Sequence, residues 1–154
     1  MQTCCFTGHR IIKITSDLSQ RLRESIINVI EQGVTEFYDG GACGFDMLAA
    51  EAVIELKAEY GDIKLHLILP CPPEEQVKGW KEAQIERYEK LLHAADSVTV
   101  LSEHYTRDCM KLRNKRLVEL ANCCICYCRN LRSGTGQTVR MARDKGIAII
   151  NLSG

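Results

Sequence analysis

Proline is scarce in this chain, at 3 of 154 residues, tryptophan occurs once, and aromatic residues make up only 6%. So little proline excludes a collagenous or Pro-rich chain, and a hydrophobic content of 45% excludes a disordered one. Net charge is also missing: 20 Lys+Arg balance 20 Asp+Glu. A dedicated nucleic-acid binder is usually basic, so nucleic acid is not the expected partner. The longest strongly apolar run, Cys123 to Cys128, is far short of the roughly 20 residues of a membrane span, and no membrane association is expected. The opening residues, Met1 to Phe6, lack the basic region of a secretory signal. No internal repeat, low-complexity stretch or long linker divides the chain. The expectation is one domain over residues 1–154. A chain of this length hides roughly 68–70% of its unfolded surface and needs no metal or disulfide staple.

Cysteine, by contrast, is abundant. Nine is an odd number, and the thiols sit inside apolar runs rather than at loop spacings. Cys4 and Cys5 fall in one strand-like segment, and Cys123, Cys124, Cys126 and Cys128 in another. Cys123 and Cys126 form a C-x-x-C, but residues three apart on a strand point to opposite faces and cannot easily share a zinc ion. The thiols read as small buried hydrophobes. Reduced cysteines imply a cytoplasmic protein, and no metal is expected. The balanced charge hides an asymmetry. Residues 1–77 carry 6 Lys+Arg and 12 Asp+Glu, and residues 78–154 carry 14 and 8. The basic excess peaks at Lys111-Leu112-Arg113-Asn114-Lys115-Arg116. It reads either as a solvated helix face or as a group of cations that neutralises a phosphate-bearing ligand.

Strand-like and helix-like segments alternate along the chain. Strands are expected over 3–7, 34–38, 63–69, 97–101, 123–128 and 147–152. Between them, apolar residues recur at helical spacing, as at Leu18, Leu22, Ile26, Val29 and Ile30. That helix is expected over 17–31, with Asp17 and Gln20 as a capping pair. Further helices are expected from Leu48 to about Gly61, over 76–93 with a break near Gly79-Trp80, over 108–122, and from Gly136 through Arg143. Six strands alternating with five helices predict a doubly wound, Rossmann-like α/β domain. Its sheet is mainly parallel, with helices on both faces. Ligands of such folds bind outside the carboxyl ends of the strands.

Four segments fall at those ends. The first is Gly40-Gly41-Ala42-Cys43-Gly44-Phe45-Asp46, between a strand and a helix. Its glycines allow a tight turn and a close backbone approach, and a helix start favours an anion. Neither a Walker A loop nor the dinucleotide G-x-G-x-x-G spacing is present. Asp46 either accepts hydrogen bonds from ribose hydroxyls or caps the helix. The second is Ser133-Gly134-Thr135-Gly136-Gln137-Thr138, where backbone N–H groups and the hydroxyls of Thr135 and Thr138 can cradle phosphate. The third is Thr7-Gly8-His9-Arg10, whose Arg10 suits phosphate in a fork geometry. The fourth is Arg113-Asn114, a cation beside a group suited to base or sugar. No nucleophile elbow, metal cage or paired-carboxylate site stands out, and the catalytic residues, if any, stay open.

The Thr7–Arg10 segment, the Gly40–Asp46 loop followed by Ala49-Ala50-Glu51, Pro70, Gln76, Trp80, Ala95-Asp96, Ser102, Tyr105, Arg113-Asn114 and the Gly134–Gly136 loop occur in one order. In that order they resemble the YpsA-like branch of the SLOG superfamily, over almost the whole chain. The resemblance implies a Rossmann-like fold. It also implies a pocket for a nucleotide or nucleotide-derived ligand at the two Gly-rich loops, with a role as sensor or regulator. The superfamily includes the LOG phosphoribohydrolases, which release cytokinin bases from nucleotides, and the DNA-processing protein Smf/DprA. LOG enzymes carry P-G-G-x-G-T-x-x-E with a catalytic Glu. Matched onto Ser133–Arg140, that position holds Arg140, and Gln137 replaces the second Thr. LOG-type chemistry is therefore not expected.

Three functions follow as expectations. The first is binding of a small nucleotide-type ligand, with no cofactor required. Gly40, Gly41, Gly44, Gly134, Thr135 and Gly136 would hold phosphate, Arg10 and Arg113 would balance its charge, and Asp46 and Asn114 would select sugar or base. Gly8, His9, Ala42 and Thr138 complete the candidate set. The second is hydrolysis of an N-glycosidic or phosphate bond, with Asp46, His9 and Glu51 as candidate acids or bases. The third is a scaffold with a vestigial pocket. Small Rossmann-like domains often pair, so a homo-oligomer stays open.

Overall fold

A computed structural model describes residues 2–154. Its strands are β1 (Gln2–Gly8), β2 (Val34–Asp39), β3 (Lys64–Leu69), β4 (Ser97–Val100), β5 (Cys123–Tyr127) and β6 (Ala148–Asn151). Its helices are α1 (Ser16–Glu31), α2 (Phe45–Leu56), α3 (Pro73–Gln76), α4 (Glu82–Ala94), α5 (Cys109–Leu120) and α6 (Gly134–Lys145). The strands form one sheet in the order β4-β3-β2-β1-β5-β6, every pair parallel. The expected doubly wound α/β fold is therefore present.

The core lies on both faces of that sheet. On one face Leu22 and Ile26 of α1, Met47 and Val53 of α2, and Tyr88 and Leu91 of α4 pack on Phe6, Phe37, Leu65 and Leu67. On the other, Leu117 and Val118 of α5 and Val139 and Ala142 of α6 pack on Cys5, Cys124, Cys126 and Cys128. All nine thiols are free, and all but Cys123 are buried. Cys4 and Cys5 of β1, Cys124 and Cys126 of β5, and Cys128 just after it fill space between two helical layers, which a Leu or Ile would overfill.

The break expected near Gly79-Trp80 is present, and the segment forms two pieces, α3 and α4. Gly79 sits at φ +82° between them, a left-handed conformation that ends a helix. Helix α1 starts earlier than expected. Its cap is Thr15, whose hydroxyl accepts the Leu18 N–H at 3.1 Å, so Asp17 lies in the first turn, where its charge suits the dipole. At the other end of the chain, Gly146 closes α6 in the left-handed conformation (φ +83°). Just before it, Lys145 Nζ donates to the carbonyls of Val118, Glu119 and Ala121 at 2.8–2.9 Å. They lie at the carboxyl end of α5, where helical partners run out, and the Val118 carbonyl also accepts the Ala121 N–H. One lysine thus ties α6 to the helix that carries Arg113 and Asn114.

From β1 the chain adds strands outward to β4, then crosses back to place β5 on the other side of β1. The order reverses between β1 and β5, and a crevice opens at their carboxyl ends.

Candidate functional site

A cavity of about 340 Å³ occupies that crevice. Gly8, His9 and Arg10 reach it from the end of β1, Ala42 and Asp46 from the loop into α2, Arg113 and Asn114 from α5, and Gly134 and Thr135 from α6. Nine of the fourteen candidate residues therefore come together in one place. Thr7 and Ser133, from two of the candidate segments, also line it, as does Met110, which sequence reasoning did not single out.

The amino end of α6 forms one wall. Ser133 is its N-cap, and its Oγ accepts the Gly136 N–H at 3.0 Å. The N–H groups of Gly134 and Thr135, at the first two helical positions, have no partner within the helix. They line the same cavity as Arg10, and a helix amino end favours an anion. Thr138 is completely buried and its hydroxyl donates to the Gly134 carbonyl at 3.1 Å, so it supports the loop from below. Gly136 supports it too. A Cβ there would run into the backbone carbonyl of Leu131.

The opposite wall is built on the second Gly-rich loop, where the glycines serve the neighbouring chain. Arg113 is 4% exposed, and its Nη1 donates to the Gly40 carbonyl at 2.6 Å. Gly40 has no side chain because the guanidinium lies where its Cβ would be. Gly41, at φ +71°, turns the chain so that its N–H donates to Asp39 Oδ1 at 2.8 Å. Gly44, at φ +77°, lets α2 start against the carbonyls of His9 and Arg10, where the Phe45 N–H donates to the His9 carbonyl at 3.1 Å. Gly40, Gly41 and Gly44 thus lie behind the cavity wall rather than in it. Behind them, Tyr88 donates its hydroxyl to Gln76 Oε1 at 2.6 Å, and Gln76 Nε2 lies 3.4 Å from the Gly40 carbonyl.

Arg113 also orients its neighbours. Its Nε donates to Asn114 Oδ1 at 2.8 Å, which leaves the Asn114 amide nitrogen as a donor at the cavity wall. The Met110 sulfur lies 3.5 Å from Arg10 Nη2 and 3.6 Å from Arg113 Nη2, between the two guanidiniums. His9 is held by the Arg129 N–H, which donates to His9 Nε2 at 2.8 Å. That contact leaves Nε2 as the unprotonated nitrogen and occupies it.

Beneath Arg113 lie two carboxylates. Asp39 is fully buried and Asp46 is 5% exposed, and Asp39 Oδ2 and Asp46 Oδ1 have no hydrogen-bond partner. Burial pushes Asp46 up to about 6, against the pull of Arg113, the Ala42 amide, Arg10 and the Gly8 amide. Asp39 is raised further, first by burial and then by Asp46. Burial in turn lowers Arg113, with Asp46 and Asp39 opposing it. One buried cation therefore serves two buried acids. Asp39 follows a strand directly at a Gly-Gly turn, the signal that could have marked it.

Two candidates lie elsewhere. Glu51 faces a separate, more open groove between α1, α2 and α4, where Arg87 Nε donates to its Oε2 at 3.0 Å. Arg140 is exposed on α6 outside the cavity. Among the described residues no group of three or more His, Cys, Asp or Glu could hold a metal ion. No helix among them is long and apolar enough to cross a membrane.

Fold and topology define a Rossmann-like α/β domain with a crevice at the carboxyl ends of its strands. A sequence model described as the YspA SLOG family matches residues 7–143, and the chain belongs to this YpsA family. It is 30% identical over 132 residues to a UPF0398 protein of Bacillus thuringiensis strain Al Hakam, covering 84% of this chain and 71% of the relative. A UPF0398 protein of Bacillus cereus strain AH820 is 29% identical over the same span. Among solved structures, DNA processing protein A (DprA) from Streptococcus pneumoniae superposes with a TM-score of 0.69 at 17% identity, covering 97% of this chain. DNA processing protein A from Helicobacter pylori, described with a single-stranded DNA binding mode, gives 0.66 at 16% and the same coverage. The chain spans half the length of the first and 64% of the second. At such identities the likeness is one of fold. It lends nothing to the exclusion of nucleic acid drawn from net charge.

Proposed function

We propose that this protein binds a nucleotide or nucleotide-derived ligand in the crevice between β1 and β5 and acts as a sensor or regulator. The observation that carries the reading is a convergence. Free amides at the amino end of α6, the Arg10 guanidinium and the carboxylate of Asp46, whose Oδ1 has no partner, meet at one cavity of about 340 Å³. That volume sits at the lower end of ligand pockets, which run from about 300 to 1,000 Å³. Phosphate takes the α6 wall, and sugar or base takes Asp46 and Asn114. Gly134 and Thr135 hold the phosphate directly. Gly40, Gly41, Gly44, Gly136 and Thr138 shape the walls.

Hydrolysis is less well supported. Glu51 is outside the cavity and tied to Arg87, and His9 Nε2 is occupied by a backbone amide. Only Asp46 is left of the three candidate acids or bases. A polynucleotide is the second binding reading. Arg107, Arg129 and Arg132 are exposed on the loops around the same sheet edge, and the Helicobacter neighbour's description names single-stranded DNA. The free thiols fit a reducing compartment such as the cytoplasm.

Thermal unfolding against AMP, ADP, ATP, GTP, NAD, ADP-ribose, cyclic dinucleotides and a single-stranded oligonucleotide tests the reading. A ligand at 100 times its Kd stabilises by about 2.7 kcal/mol. For a domain of this size that raises Tm by roughly 5–10 °C. A selective rise supports the nucleotide pocket, and a flat response across the panel removes it. Light scattering on the same samples reads whether the chain pairs.

A further inference from the structure

We infer that Asp46 takes the ribose diol of the ligand, so that the cavity admits ribonucleotides and discriminates against their 2′-deoxy counterparts. This rests on the nucleotide reading above and narrows it to one class.

Capping does not explain Asp46, and the Ala42 and Gly8 amides that favour its charge leave one oxygen, Oδ1, unpaired. It stands in the first turn of α2 but does not cap that helix, whose N-cap is Gly44 with no side-chain bond. Its Oδ1 is buried and accepts nothing, although the carboxylate lines the cavity. The one buried cation nearby, Arg113, is already committed to the Gly40 carbonyl and to Asn114. A buried, incompletely paired carboxylate weakens a fold, and an apolar residue in its place would not. The group is therefore completed by something that enters the cavity.

What enters must donate. Phosphate cannot lie against Asp46, because like charges repel there, so the anion belongs at the α6 wall, where amides and Arg10 point. The part of a nucleotide next to its phosphate is the sugar, and its donors are hydroxyls. A vicinal diol offers two O–H groups to the two oxygens of one carboxylate. A 2′-deoxy sugar offers one and leaves an oxygen buried and unpaired. Asn114, which presents an amide donor beside Arg113, can return a hydrogen bond to a hydroxyl oxygen.

Calorimetric titration with AMP, GMP, CMP and UMP beside the four 2′-deoxy monophosphates tests this on the unmodified protein. A hydrogen bond to a charged group is worth about tenfold or more in affinity. We expect at least one ribonucleotide to bind about tenfold or more tightly than its deoxy form. In Asp46→Asn both affinities should fall, the ribonucleotide's further, so that the ratio moves toward one. Circular dichroism checks that the variant is folded. Equal affinity of ribo and deoxy forms overturns the inference but leaves the nucleotide pocket standing. So does a preference set only by the base, which would put Asp46 on a base N–H. If none of the eight binds, the inference falls, and the wider panel above decides whether the nucleotide pocket falls with it.

Discussion

The guanidinium of Arg113 occupies the space that a Cβ on Gly40 would fill, and its Nη1 donates to the Gly40 carbonyl at 2.6 Å. Residues 73 positions apart are thereby locked, and α5 is fixed to the loop between β2 and α2. Among the described residues, the same guanidinium is the only buried cation facing Asp39 and Asp46. Replacing it by methionine should cost about 3–5 kcal/mol, because two buried acids lose their counter-charge. Lysine should not rescue the fold fully, since one ammonium cannot replace the fork that reaches both Gly40 and Asn114. Gly40→Ala should shift Arg113 out of place and weaken both the fold and ligand binding. Chemical denaturation of the three variants measures this. Unchanged midpoints would contradict the lock.

Asp46 makes a pH prediction. Its carboxyl titrates near 3.8 in an ordinary setting and at about 6 in the fold. The folded protein holds this proton more tightly, so the contribution to stability is fully present below about 3.8 and is lost as pH rises through about 6. Asp39, raised by burial and by Asp46, adds in the same direction. Asp46→Asn should therefore stabilise the ligand-free protein at pH 8 by up to about 3 kcal/mol, and the gain should shrink toward nothing by pH 4. Urea denaturation of both proteins at the two pH values reads the difference. A variant less stable than the parent at pH 8 would show that Asp46 supports the fold after all.

The two glycines at the start of α6 should respond in opposite ways. A Cβ on Gly134 meets nothing within 4 Å, whereas one on Gly136 meets the Leu131 backbone. Gly134→Leu should fold normally and lose ligand, because its side chain enters the cavity. Gly136→Ala should lose stability by about 1–3 kcal/mol, as expected for overpacking. Paired denaturation and titration separate them. Retained affinity in Gly134→Leu would refute the assignment of the α6 wall.

Lys145 should matter to the site without touching it. Replacing it by methionine leaves three carbonyls of the α5 carboxyl end without this donor and should cost about 1–3 kcal/mol. Amide hydrogen exchange should accelerate first in the last turn of α5. Exchange unchanged there would mean that water replaces the ammonium at no cost.

Periodicity and the alternation of apolar runs carried all six strands and the two-sided helical packing, because strands covered on both faces must be apolar throughout. Helix caps were less legible. Thr15 and Asp17 are both plausible N-caps, and the choice depends on a β-region backbone at Thr15 that no composition rule fixes. The crevice followed from the rule that ligands sit at the carboxyl ends of strands, and nine of fourteen candidate residues line it. The others show why glycine is ambiguous in a sequence. Gly40 and Gly136 lack side chains because other parts of the protein press on them, a demand that local spacing does not reveal. Zero net charge likewise averaged over an acidic first half and a basic second half, each of which supplies half of the residues that line the crevice.

The most direct measurement is a ¹H–¹⁵N correlation titration of the labelled protein with AMP, GMP, CMP and UMP. The account predicts shifts that concentrate on the amides of Gly134, Thr135, Gly8 and Arg10 and on the Asn114 side chain, and that vanish in Gly134→Leu. Shifts confined to the groove between α1, α2 and α4, or none with any nucleotide, would contradict it.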